Sequence, residues 1–434
     1  MTDQKPREIA IRVLRRRRPS GDYVETLLER ELARQTLSPP DRALCQELAY
    51  GMVRWQSTLD WLIGRKTGGR AQNASLRLLL HLGLYQLFWL QRIPDHAAVH
   101  ETVELAKRLG FGPRAGFLNA ILRGYIRERE ATREALEALK KTDPAAGYSH
   151  PSWLVERWQA RWGGGQTAQL LAWNNRPPPM YARLNELKTD AARLAARWQE
   201  EGVEFEERQY DWTGPGLVFE LRRHPALTSL GSFQDGWFYV QDPSTLLAAR
   251  QLDPRPGETI LDLCAAPGGK TTHIAQRMGG RGRIVARDNQ PERLKLLEDN
   301  CRRLGAARVE TSAAPGAFDR ILIDAPCSNT GVLRRRIDAR WRVQPAEIAR
   351  LSREQSALLS RAAPELKPGG TLVYSTCSLE PEENQEVVRR FLEEHPAFKL
   401  ESERQLLPFI EGVDGAYVAA LRKGRSKGEH LDTT

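Results

Sequence analysis

Leu261-Asp262-Leu263-Cys264-Ala265-Ala266-Pro267-Gly268-Gly269-Lys270-Thr271-Thr272 decides how this chain of 434 residues is read. An apolar run passes through a turn of small residues into a helical segment, as when a buried strand enters a helix across a ligand-binding turn. Small side chains let a ligand approach the backbone, and the first N–H groups of the helix have no partner within it. A phosphate-binding P-loop would also end in Gly269-Lys270-Thr271, but it needs glycine where Cys264 stands. Asp288 stands at the end of the next strand, where such sheets place an acid for ribose hydroxyls. The same position would let it cap the helix that starts at Pro291. Loop and acid together point to an adenosine-containing ligand.

Outward from this stretch, strand, glycine turn and helix repeat after Pro254, with strands at Thr259–Leu263, 284–286, 318–323 and 371–374. The pattern predicts an α/β fold, a doubly wound parallel Rossmann-like sheet over residues 254–425, followed by a polar tail, 426–434. Residues 1–140 carry only helical signals: Val24, Leu27, Leu28 and Leu32, then Leu44, Leu48 and Met52 after a possible Asp41 cap. Residues 76–90 are apolar nearly all round, as the central helix of an all-α bundle would be, and Phe117, Leu118, Ile121 and Leu122 mark a later amphipathic helix. Asp143-Pro144, Gly147 and His150-Pro151 read as an extended linker over 141–151. Residues 152–253 read as a small α+β linking subdomain. It holds two short helices over 152–175, a strand at Met180–Leu184, a helix near 189–200 and strands near 217–221 and 237–241.

Composition narrows the function. The most apolar stretch is broken by Arg77, His81 and Gln86 and is too short to span a bilayer. The first residues lack the apolar core of a secretion signal, and the five cysteines show no disulfide or zinc spacing, so a reducing cytoplasm and no metal are expected. Lysine and arginine outnumber the acids by 65 to 55, a net +10 that favours a polyanion, nucleic acid first. Arg15, Arg16, Arg17 and Arg18, and the tail residues Arg422, Lys423, Arg425 and Lys427, could grip phosphate or simply be solvated. The chain is expected to act as a monomer.

Two cysteines stand at strand ends: Asp324-Ala325-Pro326-Cys327-Ser328 closes one strand and Ser375-Thr376-Cys377-Ser378 a later one. Both fall at the carboxyl edge where open sheets bind ligands, whereas Cys45 and Cys301 read as core or helix residues. Carbon 5 of a pyrimidine is a poor nucleophile until a thiolate adds to carbon 6, so methylation there needs a cysteine, while methylation at oxygen or exocyclic nitrogen does not. Asp324 is suited to hold the N3 and amino edge of a cytosine and to help protonate N3; it could also cap the turn before Pro326.

With these motifs the sequence resembles the RNA cytosine-C5 methyltransferase family over almost its whole length. The likeness includes Phe238-Tyr239-Val240-Gln241-Asp242-Pro243-Ser244, the strand running from Met180 to Asn185, and Glu382-Glu383-Asn384. Residues 41–55 are similar to a NusB-like bundle. The resemblance implies S-adenosylmethionine as cofactor, contacted by Cys264, Ala265, Ala266, Pro267, Gly268, Gly269, Lys270, Asp288 and Asp324. It implies Cys377 as the covalent nucleophile, Cys327 as the residue that assists product release, and Lys270 near the reacting base. The N-terminal bundle points to 16S rRNA as partner. A tRNA cytosine-C5 methyltransferase and a non-catalytic RNA-binding assembly factor are the alternatives. One position departs from the family: where an acid normally follows the third strand, Ser312 or Ala313 stands here, which puts adenine contacts and cofactor affinity in question.

Overall fold

In the N-terminal third, apolar residues recur at helical spacing, and helices Pro6–Arg16, Val24–Leu32, Pro39–Arg54, Gln56–Thr67, Ala74–Trp89, Asp95–Ala106, Ala115–Arg127 and Arg129–Thr142 follow one another. The computed structural model describes residues 6–18, 21–311 and 314–425. Ala74–Trp89 is the central helix, with Leu79, Leu80, Leu82 and Leu84 wholly buried. Ser38, rather than Asp41, caps Pro39–Arg54: its hydroxyl accepts from the Asp41 N–H at 3.3 Å.

Residues 141–151 are not the extended linker the prolines suggested. Pro144 takes the first position of a short helix, Pro144–Gly147, and Asp143 caps it by accepting from Ala146 N–H at 3.0 Å. Ser149 and His150 beyond it are buried. The following segment, Ser152–Asn175, consists of two helical stretches meeting at Gly163, whose φ of 75° breaks the helix.

The chain divides into two compact units, Met1–Arg176 with Leu333–Arg342, and Pro177–Val332 with Val343–Thr434. Residues 152–175 go with the helical unit, the small four-stranded subdomain goes with the large sheet, and ten residues of the expected methyltransferase domain belong to the helical unit. Packing explains that last piece. Ile337 lies in the core of the helical bundle. Asp338 accepts from Arg17 Nε at 2.5 Å and from Val24 N–H at 3.2 Å. The fully buried Arg340 donates to the carbonyls of Arg54, Ser149 and Asn174 and to Asn175 Oδ1. One arginine of the 15–18 run is thus structural.

In the second unit, β1 (Met180–Leu184), β2 (Glu204–Arg208), β3 (Val218–Arg223) and β4 (Phe238–Val240) form an antiparallel sheet in the order β2-β3-β1-β4. The helix Ala191–Glu200, capped by Asp190, adds the buried Trp198 to the core that lines this sheet. The large sheet comprises β5 (Thr259–Leu263), β6 (Arg283–Arg287), β7 (Val309–Thr311), β8 (Phe318–Asp324), β9 (Leu366–Thr376), β10 (Phe398–Leu406) and β11 (Ala416–Lys423), in the order β10-β11-β9-β8-β5-β6-β7. Strands β5 to β9 are parallel, as expected; β11 is antiparallel to both β9 and β10, so the sheet is mixed. Alternate residues feed opposite buried faces, Ile260 and Leu322 one core, Leu261, Ile321 and Ile323 the other. From β5 the chain winds outward through β6 and β7, then returns to β8 on the other side. The carboxyl ends of β5 and β8 therefore flank the crevice where open sheets bind ligands. Among the described residues no helix is long and apolar enough to cross a membrane.

Candidate active site

The loop after β5 is held by its backbone. Cys264 takes a left-handed conformation, φ 60°, and Gly268 one of φ 100° just before the helix Gly269–Arg277. A side chain at Gly268 would be strained by that φ and would sit 3.2 Å from Leu297. Asp288 follows β6, and its carboxylate accepts from Ala266 N–H at 3.2 Å and from Gln290 N–H at 3.0 Å. It ties the loop to the end of β6, while the helix Pro291–Leu304 begins after Gln290 with no side-chain cap.

Beneath the loop lies Asp262, which the sequence reading did not single out. One of its oxygens accepts from Thr271 Oγ1 at 2.6 Å; the other is buried and has no partner among the described residues. Burial pushes Asp262 up to about 7, against the pull of the Thr271 hydroxyl. Cys264 is pushed up to about 12, first by burial and then by Asp324, Asp288 and Asp262, so it is no nucleophile at neutral pH. A loop thiol under the influence of three carboxylates marks an acid-rich pocket. The expected cofactor, S-adenosylmethionine, carries a sulfonium and an ammonium, and this donor set fits it. Ser312 and Ala313, where the family acid is missing, lie outside the described residues.

At the ends of β8 and β9 the remaining expected residues come together. Lys270 Nζ lies 2.6 Å from Asp324 Oδ2, and Ser375 Oγ donates to Asp324 Oδ1 at 2.9 Å, so both oxygens of Asp324 are engaged by side chains of the site. Burial works against the charge of Lys270, but Asp324 outweighs it, and the ammonium is held above the usual lysine range. The sulfurs of Cys327 and Cys377 are 3.2 Å apart. The adjoining Cys377 sulfur, and then burial, hold the Cys327 thiol protonated well above its ordinary range. Cys45 and Cys301 are buried.

The two cysteine loops share one carboxylate. Glu383 accepts from Ser328 N–H at 2.8 Å, from Ser378 Oγ at 2.5 Å, from Gln355 Nε2 at 3.1 Å and from Ser328 Oγ. Burial raises its pKa despite these donors. Asn384 Oδ1 accepts from Thr376 Oγ1 at 2.6 Å while its Nδ2 donates to Ser378 O at 2.9 Å, bracing the Cys377 turn from both sides. Gly331 N–H donates to Cys377 O at 2.9 Å; a Cβ there would stand 2.6 Å from that oxygen and 2.8 Å from Gly415 Cα. The Glu382-Glu383-Asn384 motif was visible as a resemblance, but that its middle carboxylate joins both thiol loops was not.

The comparisons with known proteins match three successive segments of the chain. Residues 249–422 match the family described as 16S rRNA methyltransferase RsmB/F. Residues 4–127 match the NusB family, and 150–217 a ferredoxin-like domain of RsmF/B-like methyltransferases. The probable ribosomal RNA small subunit methyltransferase B of Synechocystis sp. is 39% identical over 449 residues, 96% of this chain and 99% of its own. The corresponding protein of Bacillus subtilis, also named as probable, is 36% identical over 450 residues, 96% of this chain and 98% of its own. That of Klebsiella pneumoniae is 38% identical over 412 residues, 90% and 92%. Among solved structures, PH0851 covers 97% of this chain and 100% of its own with a TM-score of 0.76 at 26% identity. NSun6 from Pyrococcus horikoshii covers 63% and 98% with a TM-score of 0.56 at 25% identity. Likeness over almost the whole length shows the family: the chain belongs to the S-adenosylmethionine-dependent RsmB/F family of 16S rRNA methyltransferases.

Proposed function

We propose that the protein methylates carbon 5 of a cytosine in 16S rRNA through a covalent adduct on Cys377. The observation that carries this reading is the thiol pair, two sulfurs 3.2 Å apart at the ends of neighbouring parallel strands, beside the Lys270–Asp324 ion pair. When bound, S-adenosylmethionine supplies an electrophilic methyl group. The backbone of residues 264–270, Asp288, Asp324 and the unpartnered oxygen of Asp262 would hold it.

The target base leaves its stack to enter the crevice, and Asp324 accepts from its amino group. The Cys377 thiolate adds to carbon 6, and electron density moves to carbon 5 as N3 takes up a proton from the Lys270 ammonium that Asp324 keeps charged. The methyl group that the cofactor would supply parts from its sulfonium sulfur, which keeps the bonding pair, and goes to carbon 5. Carbon 5 then gives its proton to a base, and N3 returns its proton to the Lys270 amine. The freed electron pair restores the ring double bond, and the sulfur–carbon bond breaks to return the thiolate. Cys327, next to that sulfur, assists the release. The NusB-like bundle contributes RNA binding, and the match to small-subunit methyltransferases over 96% of the chain favours 16S rRNA over tRNA.

The test is transfer of labelled methyl from S-adenosylmethionine to small-subunit rRNA, followed by digestion to nucleosides. Label in 5-methylcytidine is expected. Label on ribose or on the exocyclic nitrogen overturns the proposal, as does RNA binding without any methyl transfer.

A further inference from the structure

Asn329 stands two residues beyond Cys327 and takes no part in the mechanism above. Its backbone adopts the left-handed conformation, φ 62°, which asparagine tolerates better than most residues. Its side chain bridges the two cysteine loops. Nδ2 donates to Cys327 O at 2.8 Å, and Cys377 Sγ donates to Oδ1 at 3.2 Å. The first contact fixes the second: turning the amide over would set Oδ1 against the Cys327 carbonyl, acceptor against acceptor. The sulfur of Cys377 therefore meets an oxygen that can only accept. A thiol satisfies that oxygen; a thiolate would face its partial negative charge. Cys377 in turn is left to accept from the protonated Cys327.

We propose that Asn329 is a catalytic residue of the thiol pair, its amide oxygen holding the Cys377 proton at rest and so setting how readily the thiolate forms. This rests on Cys377 being the nucleophile. Activation breaks the S–H bond; the electron pair stays on sulfur and the proton passes to solvent. The other groups that bear on Cys377 are the protonated Cys327 and the Lys270 ammonium, the second paired with Asp324. Glu383 is held beside the Cys377 turn through Ser378 Oγ, and Asn329 Oδ1 is the acceptor in contact with the Cys377 sulfur.

The test is the rate at which iodoacetamide alkylates Cys377 at a fixed neutral pH, read by mass spectrometry of the Cys377 peptide in the full-length protein. The S–C bond forms as iodide leaves, so the rate follows the thiolate present. Asn329→Gly keeps the left-handed backbone and removes the acceptor; one hydrogen bond of ordinary strength corresponds to alkylation about threefold to tenfold faster. Asn329→Asp puts a full negative charge at the same place and should slow alkylation by about tenfold or more. Opposite signs separate the proposal from a purely structural role, since loss of loop geometry would move both variants the same way. Equal rates in wild type and Asn329→Gly, or a shift of both variants in one direction, overturn it. If instead Cys377→Ala still methylates RNA, the nucleophile assignment falls, and the alkylation rates report on Asn329 separately.

Discussion

Replacing Glu383 tests whether the two thiols are held as a unit. In Glu383→Ala the hydroxyls of Ser328 and Ser378, already 3.1 Å apart, can re-pair with each other. Gln355 Nε2 keeps its bond to Pro326 O at 2.9 Å. One buried donor, the Ser328 N–H, is left without a partner, which costs about 1–3 kcal/mol. The space of the lost carboxylate adds roughly 1 kcal/mol. Relief of a buried charge offsets part of this, so a net loss of about 1–3 kcal/mol is expected. Glu383→Gln retains an oxygen for Ser328 N–H and its volume, and should lose about 1 kcal/mol or less. Hydrogen exchange at the peptides of β8 and β9, compared with global urea unfolding, reads the change where it occurs. Methyl transfer should fall by about a hundredfold in the alanine variant, because both reacting sulfurs lose their common anchor, and by no more than about tenfold in glutamine. Equal losses in the two variants, or an alanine variant as protected and active as wild type, would refute the shared anchor.

Asp262 carries a pH signature. Its folded value, about 7, lies above its ordinary carboxylate value, so its contribution to stability is full at low pH and is lost as pH rises towards 7. The stability of wild type relative to Asp262→Asn should therefore fall by about 2–3 kcal/mol between pH 5 and 7 in urea titrations; a flat or rising difference contradicts the buried, proton-binding carboxylate. Gly331→Ala should displace the Cys377 carbonyl it would approach to 2.6 Å, lowering methyl transfer about tenfold or more at a stability cost of roughly 1–3 kcal/mol. Gly116→Ala, where a Cβ meets nothing within 4 Å, should change neither, and equal behaviour of the two would remove steric contact as the cause.

The features legible in the sequence are those written in contiguous residues. The run 261–272 contains strand, turn and helix start in one stretch, and the two cysteine motifs each follow an apolar strand, so β5, β8 and β9 and the crevice they border could be placed without a structure. Edge strands were harder. In β10 the solvent-facing side is charged and only Phe398 and Leu406 are buried, which leaves little apolar pattern to read. The membership of Leu333–Arg342 in the helical unit depends on Ile337, Asp338 and Arg340 meeting partners more than 150 positions away, and no local pattern encodes that. The same holds within the site. Cys327 and Cys377 are marked by their strand ends, but the shared Glu383, the orphaned oxygen of Asp262 and the Asn329 bridge are properties of packing. Asp288 shows the limit from the other side: the sequence offered ribose contact or a helix cap, and the structure adds a third task, anchoring the loop after β5 through Ala266 N–H.

The measurement that bears most directly on the covalent mechanism is a denaturing gel of RNA and protein after methyl transfer by wild type, Cys377→Ala and Cys327→Ala. Nucleophilic Cys377 and releasing Cys327 predict no methylation and no adduct from Cys377→Ala, and a protein–RNA adduct that accumulates with Cys327→Ala. Methylation by Cys377→Ala, or an adduct that survives its loss, would contradict the mechanism.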